Sequence, residues 1–171
     1  VSRLFAMLAL ACALHGQTFV QAWGVSGFDT RSAEGVTVRI AAEEFSSILL
    51  KADGSVFVNG VDAAEAPAPP AGTTYVDVGI GGSIYLGLLS NGSVVQWGRR
   101  TNYGLPNGSP PYPIPALPPG MTYLQVDAGA YFMAALRSDG RIVTWGFRAT
   151  TTFNPPPPPP GLSYVHLSVR S

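Results

Sequence analysis

The sequence predicts an all-β fold built from repeated, radially packed sheets. Three observations lead to this prediction: an internal repeat without gaps, an Asx-Gly turn signal in every copy, and a composition rich in turn-forming residues. The 171-residue chain contains 20 glycines and 16 prolines, and only 12% of its residues are charged. A chain of this length and apolarity has room for a sizeable core, and its many glycines and prolines indicate frequent turns.

The repeat occupies residues 38–60, 76–98 and 124–146. In each copy an Asx-Gly pair stands at the same position, followed by a closing pair that is Asn-Gly in the first copy and Trp-Gly in the other two. Asx-Gly is the signal for a tight two-residue hairpin turn, since glycine adopts positive φ at little cost and Asx tolerates it. The repeat-defining residues are Asp53, Gly54, Asn91, Gly92, Trp97, Gly98, Asp139, Gly140, Trp145 and Gly146.

Each copy predicts three antiparallel strands. In the second copy these are residues 75–80, 83–89 and 93–97, with room for a weak outer strand in the loop that follows. The second and third strands are nearly continuous in apolar residues, as expected when neighbours cover both faces of a sheet. Radially stacked propeller blades provide this cover, and Trp97 and Trp145 are suited to anchor one blade on the next.

The resulting prediction is a partial β-propeller of about three blades, each with three or four antiparallel strands, plus the start of another blade. The units cover about residues 36–60, 73–98 and 121–146, and a partial unit covers residues 162–171. Blades bury their faces only against neighbours. We therefore expect residues 23–171 to need further repeats or self-association to close the propeller.

The third copy resembles the regulator-of-chromosome-condensation repeat, whose pattern is V-x-A-G-x-x-H-x-x-A-L-x-x-D-G-x-V-x-x-W-G. The matching residues are Val126, Ala128, Gly129, Ala135, Leu136, Asp139, Gly140, Val143, Trp145 and Gly146. The resemblance covers about residues 36–169 and implies a seven-bladed propeller. The family's histidine position holds Ser46, Ile84 and Phe132 in the three copies, and the first copy closes on Asn59 instead of tryptophan.

Residues 1–22 have two interpretations. As a secretory signal they offer Arg3, an apolar stretch from Leu4 to Leu14, and small residues before a cleavage point after Ala22. This interpretation predicts a secreted protein. Alternatively, the Trp-Gly pair that follows resembles the closing pair of the repeat, so that residues 4–24 form the tail of a decayed repeat in an intracellular protein.

Composition argues against several classes of partner and site. The net charge is zero, so nothing indicates a nucleic-acid partner, and no apolar run approaches the roughly 18 residues of a membrane span. Cys12 is the single cysteine, and His15 and His166 are the two histidines. We therefore expect no disulfide framework, no metal site and no cofactor.

Catalytic chemistry has little support in the sequence. No G-x-S-x-G nucleophile motif occurs. The acidic candidates are Glu43, Glu44, Asp77 and Asp127. They are expected to be solvated charges rather than a catalytic pair. The segment 79–82 is expected to be a turn between strands, because no helix follows that could present its N-terminus to a phosphate. The chain is predicted not to be an enzyme.

The predicted function is a non-enzymatic propeller module that binds an unknown protein through one rim of loops, since loops on a rigid scaffold carry recognition residues. The candidate binding residues are Arg99, Arg100, Asn102, Tyr103, Phe147 and Arg148. The family resemblance leaves open the propeller part of a small-GTPase nucleotide-exchange regulator or of a ubiquitin ligase. A secreted enzyme inhibitor is the remaining alternative.

Residues 155–160 are six consecutive prolines. Such a run forms a polyproline II helix, which SH3, WW or profilin-like domains can bind. The other units carry shorter proline-rich stretches at the same place, so the run is expected to be an expanded linker between blades.

Overall fold

The structure, a computed structural model, describes residues 10–14, 17–21, 35–43, 46–60, 64–99, 104, 111–147 and 155–169. The strands in these ranges are β1 (Leu10–Leu14), β2 (Gln17–Gln21), β3 (Thr37–Ala42), β4 (Ser46–Lys51), β5 (Val56–Gly60), β6 (Tyr75–Gly81), β7 (Ile84–Leu89), β8 (Val94–Gly98), β9 (Tyr123–Ala128), β10 (Phe132–Arg137) and β11 (Ile142–Gly146). The described ranges contain no helix long and apolar enough to cross a membrane.

Nine of these strands form three antiparallel sheets, which we call blades. Blade 1 has the order β3-β4-β5, blade 2 the order β6-β7-β8 and blade 3 the order β9-β10-β11, while β1 and β2 form a separate hairpin. The first strands of successive blades lie against each other. The predicted all-β, partial-propeller fold class is confirmed, with three strands per blade among the described residues.

Apolar clusters fill the junctions between blades because each strand alternates its side chains between two neighbours. In β7, Ile84, Leu86 and Leu88 pack on blade 3, whereas Tyr85 and Leu89 pack on blade 1. All six residues of β7 are buried, as are all six of β4. The nearly continuous apolar runs of the sequence therefore correspond to strands covered on both faces.

A segment after blade 3 begins the next unit. Leu167 is buried with Ala134 and Leu136 of β10, and the backbone N–H of Tyr164 donates to the carbonyl of Gly140 at 2.9 Å. The same bond joins Tyr123 to Gly92, at 3.0 Å, between blades 2 and 3. The segment therefore lies on blade 3 as blade 3 lies on blade 2.

The Asx-Gly hairpins are three-residue loops, so the predicted two-residue turns are wrong. In blade 2 the N–H of Gly92 donates to the carbonyl of Leu89 at 2.8 Å, and the N–H of Leu89 donates to Ser93 at 2.8 Å. Gly92 has a φ of +80°, whereas Asn91 is not among the residues with positive φ. This is a type I turn closed by a glycine bulge. The Asn91 side chain instead accepts the N–H of Ser93 at 3.0 Å.

The glycine-rich segment 79–82 is also mostly strand, and not the predicted turn. β6 continues through Gly81, so the turn consists of Gly82 and Ser83, and Ser83 has an unusual φ of +66°. The carboxylate of Glu43, from blade 1, accepts the N–H groups of both turn residues. This contact supports a backbone conformation that a non-glycine residue rarely adopts.

Candidate functional site

The described residues of the predicted loop rim lie at one end of the blades, which we call the Trp-Gly end. β8 and β11 finish there at Gly98 and Gly146, and Arg99 and Phe147 follow directly. Arg99 is exposed, and Phe147 is 43% exposed. An arginine and an aromatic side chain thus stand at the same corner of neighbouring blades.

Gly104, which follows blade 2 in the chain, lies at the corner of blade 3. Gly104 lies so close to the ring of Phe147 that a Cβ atom at residue 104 would collide with the ring. The backbone N–H of Phe147 donates to the carbonyl of Tyr131 at 2.9 Å, which fixes the corner on its own blade. The remaining predicted binding residues lie outside the described residues: Arg100, Asn102, Tyr103 and Arg148.

Trp97 and Trp145 are buried at equivalent places between adjacent blades. Trp97 stacks on Tyr85 with 5.7 Å between ring centroids, and its indole N–H donates to the carbonyl of Ala64 at 3.0 Å. The indole N–H of Trp145 donates to Oε1 of Gln96, in blade 2, at 2.9 Å. Each tryptophan therefore ties its blade to the segment that precedes it.

One position of the first strand connects each blade to the next. Arg39 in blade 1 donates from Nε to the carbonyl of Val78 in blade 2 at 3.2 Å and forms an ion pair with Asp77. Asp77 holds the same position in blade 2, and its Oδ2 accepts the N–H of Val126 in blade 3 at 3.0 Å. We call this repeat position the inter-blade position.

The inter-blade position of blade 3 makes the corresponding contact with the segment that follows. Gln125 donates to the carbonyl of Leu167 at 2.9 Å and accepts the N–H of Leu167 at 3.0 Å. Asp127, two residues further along β9, accepts the N–H of Val169 at 2.8 Å. Arg39, Asp77 and Gln125 differ in chemistry but make the same kind of contact. Arg39 and Asp77 bond to the backbone of the first strand of the next blade, and Gln125 bonds to the backbone of the segment after blade 3.

Burial raises the pKa of Asp77 and of Asp127 above the ordinary value of 3.8. At Asp77 the hydrogen bond from Val126 and the charge of Arg39 oppose this rise, while the negative charge of Asp127 adds to it. At Asp139 the hydrogen bond from Arg137 dominates instead, and it lowers the pKa to about 2.

The expectation that the acidic candidates are solvated is wrong for Glu43, Asp77 and Asp127. Each accepts backbone N–H groups of a neighbouring blade or unit, because a buried junction must satisfy the polar groups of its inner strands. Glu44 lies outside the described residues. In the described part of the chain, no three His, Cys, Asp or Glu side chains are grouped so that they could hold a metal ion.

A groove of about 680 Å³ opens near the other end of the blades, where the Asx-Gly loops lie. It is lined by four apolar residues at one repeat position, which we call the bulge row: Val38, Val76, Leu124 and Val165. Strand pairing skips the first three, and such a β-bulge re-aims the side chain. Their exposed fractions are 59%, 49% and 56%, and that of Val165 is 87%.

No protein-family model matches the sequence, and no curated protein is significantly similar to it. Solved structures do match. The entire ectodomain of the receptor kinase CR4 from Physcomitrella patens has a TM-score of 0.61 at 22% identity, over 92% of this chain and 40% of that one. The CRINKLY WD40 ectodomain of the receptor kinase ACR4 from Arabidopsis thaliana has a TM-score of 0.52 at 21% identity, over 78% and 42%.

Prp20p from Saccharomyces cerevisiae, the yeast RCC1, also matches, with a TM-score of 0.52 at 19% identity. The fold is an RCC1-like propeller. The alignment with Prp20p covers 73% of this chain and 33% of Prp20p. The chain thus spans 33–42% of the length of these three solved structures.

Sequence reasoning missed two features of this propeller, the inter-blade position and the bulge row. A signal for both was present, because the first strand of each copy carries an apolar residue followed by a polar one. The pairs in the three copies are Val38-Arg39, Val76-Asp77 and Leu124-Gln125, and the partial unit has Val165-His166 at the same position. A polar residue repeated inside an otherwise apolar strand indicates a recurring polar contact, and here that contact is with the next blade.

Proposed function

We propose that the chain is a non-enzymatic propeller module that binds a protein partner through its Trp-Gly end. The observation that carries this proposal is Phe147, exposed at the corner of blade 3 with Gly104 of the preceding loop against its ring. Aromatic residues and arginine are enriched among the residues that dominate binding energy at protein interfaces. Phe147 and the exposed Arg99 are therefore the candidate contact residues.

The comparisons support protein binding as a class of function. Prp20p has binding properties towards Gsp1p and histones. The proposal for this chain includes neither of these partners. The propeller part of a nucleotide-exchange regulator, the propeller part of a ubiquitin ligase and a secreted enzyme inhibitor are narrower forms of the proposal. Identifying the captured partner would distinguish these three functions from one another.

A comparison of three proteins tests the proposal: the wild-type chain, a Phe147→Ser/Arg99→Glu variant, and a Leu124→Ser control at the Asx-Gly end. Each is immobilised, and retained proteins are quantified by mass spectrometry. We expect the wild type and the Leu124→Ser control to retain one protein that the rim variant does not retain. Once purified, that protein should bind the wild-type chain directly. A partner that is lost only from the Leu124→Ser chain would place binding in the groove and contradict the proposal.

We also propose that the protein enters the secretory pathway. The signal-like pattern of residues 1–22 supports this proposal. The matching parts of CR4 and ACR4 are also ectodomains of receptor kinases. The antiparallel pairing of β1 with β2 favours the decayed-repeat alternative. N-terminal sequencing of the mature protein distinguishes them, because cleavage predicts a product that begins at Trp23, and retention of the hairpin contradicts secretion through this signal.

A further inference from the structure

The linkers that precede blades 2 and 3 and the last unit share a burial pattern with a period of three. In each linker, the residues three and six positions before the turn glycine are half-buried: Ala66 and Pro69, Ile114 and Leu117, and Pro155 and Pro158. Ala66, Ile114 and Leu117 pack against the core clusters. A period of three is that of a polyproline II helix, so each linker turns this edge towards the blades. In the linker before blade 3, Pro115 on a second edge is half-buried as well.

Both ends of each linker are fixed in the same way. In the last linker the Tyr164 hydroxyl donates to the carbonyl of Pro156 at 3.1 Å, and the N–H of Leu162 donates to the carbonyl of Pro159 at 3.0 Å. The corresponding hydroxyl bonds of Tyr75 and Tyr123 measure 2.7 Å. The linker of residues 155–160 is therefore attached to the scaffold like the other two.

The last linker differs from the others in the chemistry of its exposed edges. Pro156, Pro157, Pro159 and Pro160 are all exposed. At the positions of Pro157 and Pro160, the linker before blade 2 has Ala68 and Ala71, and the linker before blade 3 has Ala116 and Pro119. Residues 155–160 thus present proline on both outward edges, whereas the first linker presents it on one.

Covalent geometry keeps this segment extended. Each proline ring fixes φ near −65°, and each following proline restricts its predecessor to extended ψ values. The described peptide bonds include no cis bond, which is the condition for a polyproline II helix. Because proline geometry favours this conformation before any partner binds, binding is expected to lose little conformational entropy.

We propose that residues 155–160 are a second binding surface, recognised by a protein domain whose aromatic-lined groove holds a polyproline II helix. The partner's groove would contact the two outward edges, formed by Pro156 with Pro159 and by Pro157 with Pro160. The inward edge, formed by Pro155 and Pro158, is half-buried and faces the blades. Residues 149–169 contain no Lys, Arg, Asp or Glu. The matching partner is therefore a domain that reads proline rings without a flanking charge. This surface is separate from the rim at Phe147.

The test uses two single variants of the full chain, Pro157→Ala on an outward edge and Pro155→Ala on the inward edge. Both remove one proline, and both introduce the residue that the first linker carries at the same position, Ala68 or Ala66. The probes are purified profilin, a WW domain and an EVH1 domain, each titrated by isothermal calorimetry. We expect at least one probe to bind, with affinity about tenfold lower for Pro157→Ala and within about twofold of the wild type for Pro155→Ala.

Two results would overturn the proposal. One is the absence of binding by all three probes at about 1 mM chain. The other is an equal loss of affinity in the two variants, because an inward edge cannot be part of the contact. A Phe147→Ser chain serves as an independent control and should bind the probe like the wild type, so this experiment can fail without affecting the rim proposal.

Discussion

The carboxylate of Asp77 in blade 2 accepts the backbone N–H of Val126 in blade 3, with 3.0 Å between Oδ2 and the nitrogen. Asp77 is 6% exposed and Val126 is fully buried, so this hydrogen bond replaces water at a closed junction. The other oxygen of the same carboxylate pairs with Arg39 of blade 1. One side chain therefore holds three blades together.

Replacing Asp77 with alanine should destabilise the chain by about 1–3 kcal/mol, because the buried N–H of Val126 loses its acceptor. Asp77→Asn keeps an oxygen acceptor for Val126 and should cost less. Urea unfolding followed by tryptophan fluorescence measures both. Equal losses for the two variants would show that the charge, and not the hydrogen bond, stabilises the junction.

Stability should rise as the pH falls from 7 towards about 4, because the raised pKa values of Asp77 and Asp127 favour the protonated carboxyls in the folded state. Below about pH 4 it should fall, because Asp139 has its pKa lowered to about 2 and loses its partner when protonated. Melting temperatures between pH 7 and about 2 test this. The Asp77→Asn/Asp127→Asn variant should lack this rise in stability. If its pH profile matched that of the wild type, the rise could not come from Asp77 and Asp127.

Trp97→Ala and Trp145→Ala should each destabilise the chain by about 3–5 kcal/mol, because a large buried ring leaves a cavity between blades. Trp97→Phe keeps an aromatic ring near Tyr85 but loses the indole donor to Ala64, so it should cost less than Trp97→Ala. Denaturant unfolding measures the free energy of unfolding of each variant, provided that the variant keeps the far-ultraviolet circular dichroism spectrum of the wild type. Near-wild-type stability of both alanine variants would remove the anchoring role.

Asn59 holds the tryptophan position in blade 1, and its Nδ2 is buried with no hydrogen-bond partner among the described residues. Asn59→Val removes this unsatisfied donor and suits a strand, so it should stabilise the chain by about 1 kcal/mol. Thermal unfolding of the variant and the wild type measures the effect. Destabilisation by Asn59→Val would indicate that the amide has a polar partner.

The bulge row should cause self-association in solution, because exposed apolar side chains that line one groove favour association. A Val76→Ser/Leu124→Ser variant should shift the chain towards the monomer, since both substitutions act on exposed positions and leave the buried junctions intact. Sedimentation velocity at several concentrations measures the shift. A wild-type chain that sediments as a monomer throughout would contradict this prediction.

The sequence by itself determined the blades. The second strand of blade 2, β7, was predicted at residues 83–89 and is found at Ile84–Leu89. A short apolar run of this length, bounded by turn signals, is typical of a strand covered on both faces. The buried places of Trp97 and Trp145 followed from their recurrence at a strand end. These features depend on the order of residues along one segment, and that order is visible in the sequence.

Only the tertiary structure decided which side chains cross from one blade to the next. The repeated pattern marks the position of Asp77, but it does not show that the carboxylate is buried. Asp77 is buried because blade 3 packs on blade 2 and brings the backbone N–H of Val126, 49 residues away, against it. Likewise, Val76 belongs to an apolar strand but is exposed because a bulge turns it out of the junction. The burial of a side chain depends on what packs against it, and the packing of blades on one another fixes that.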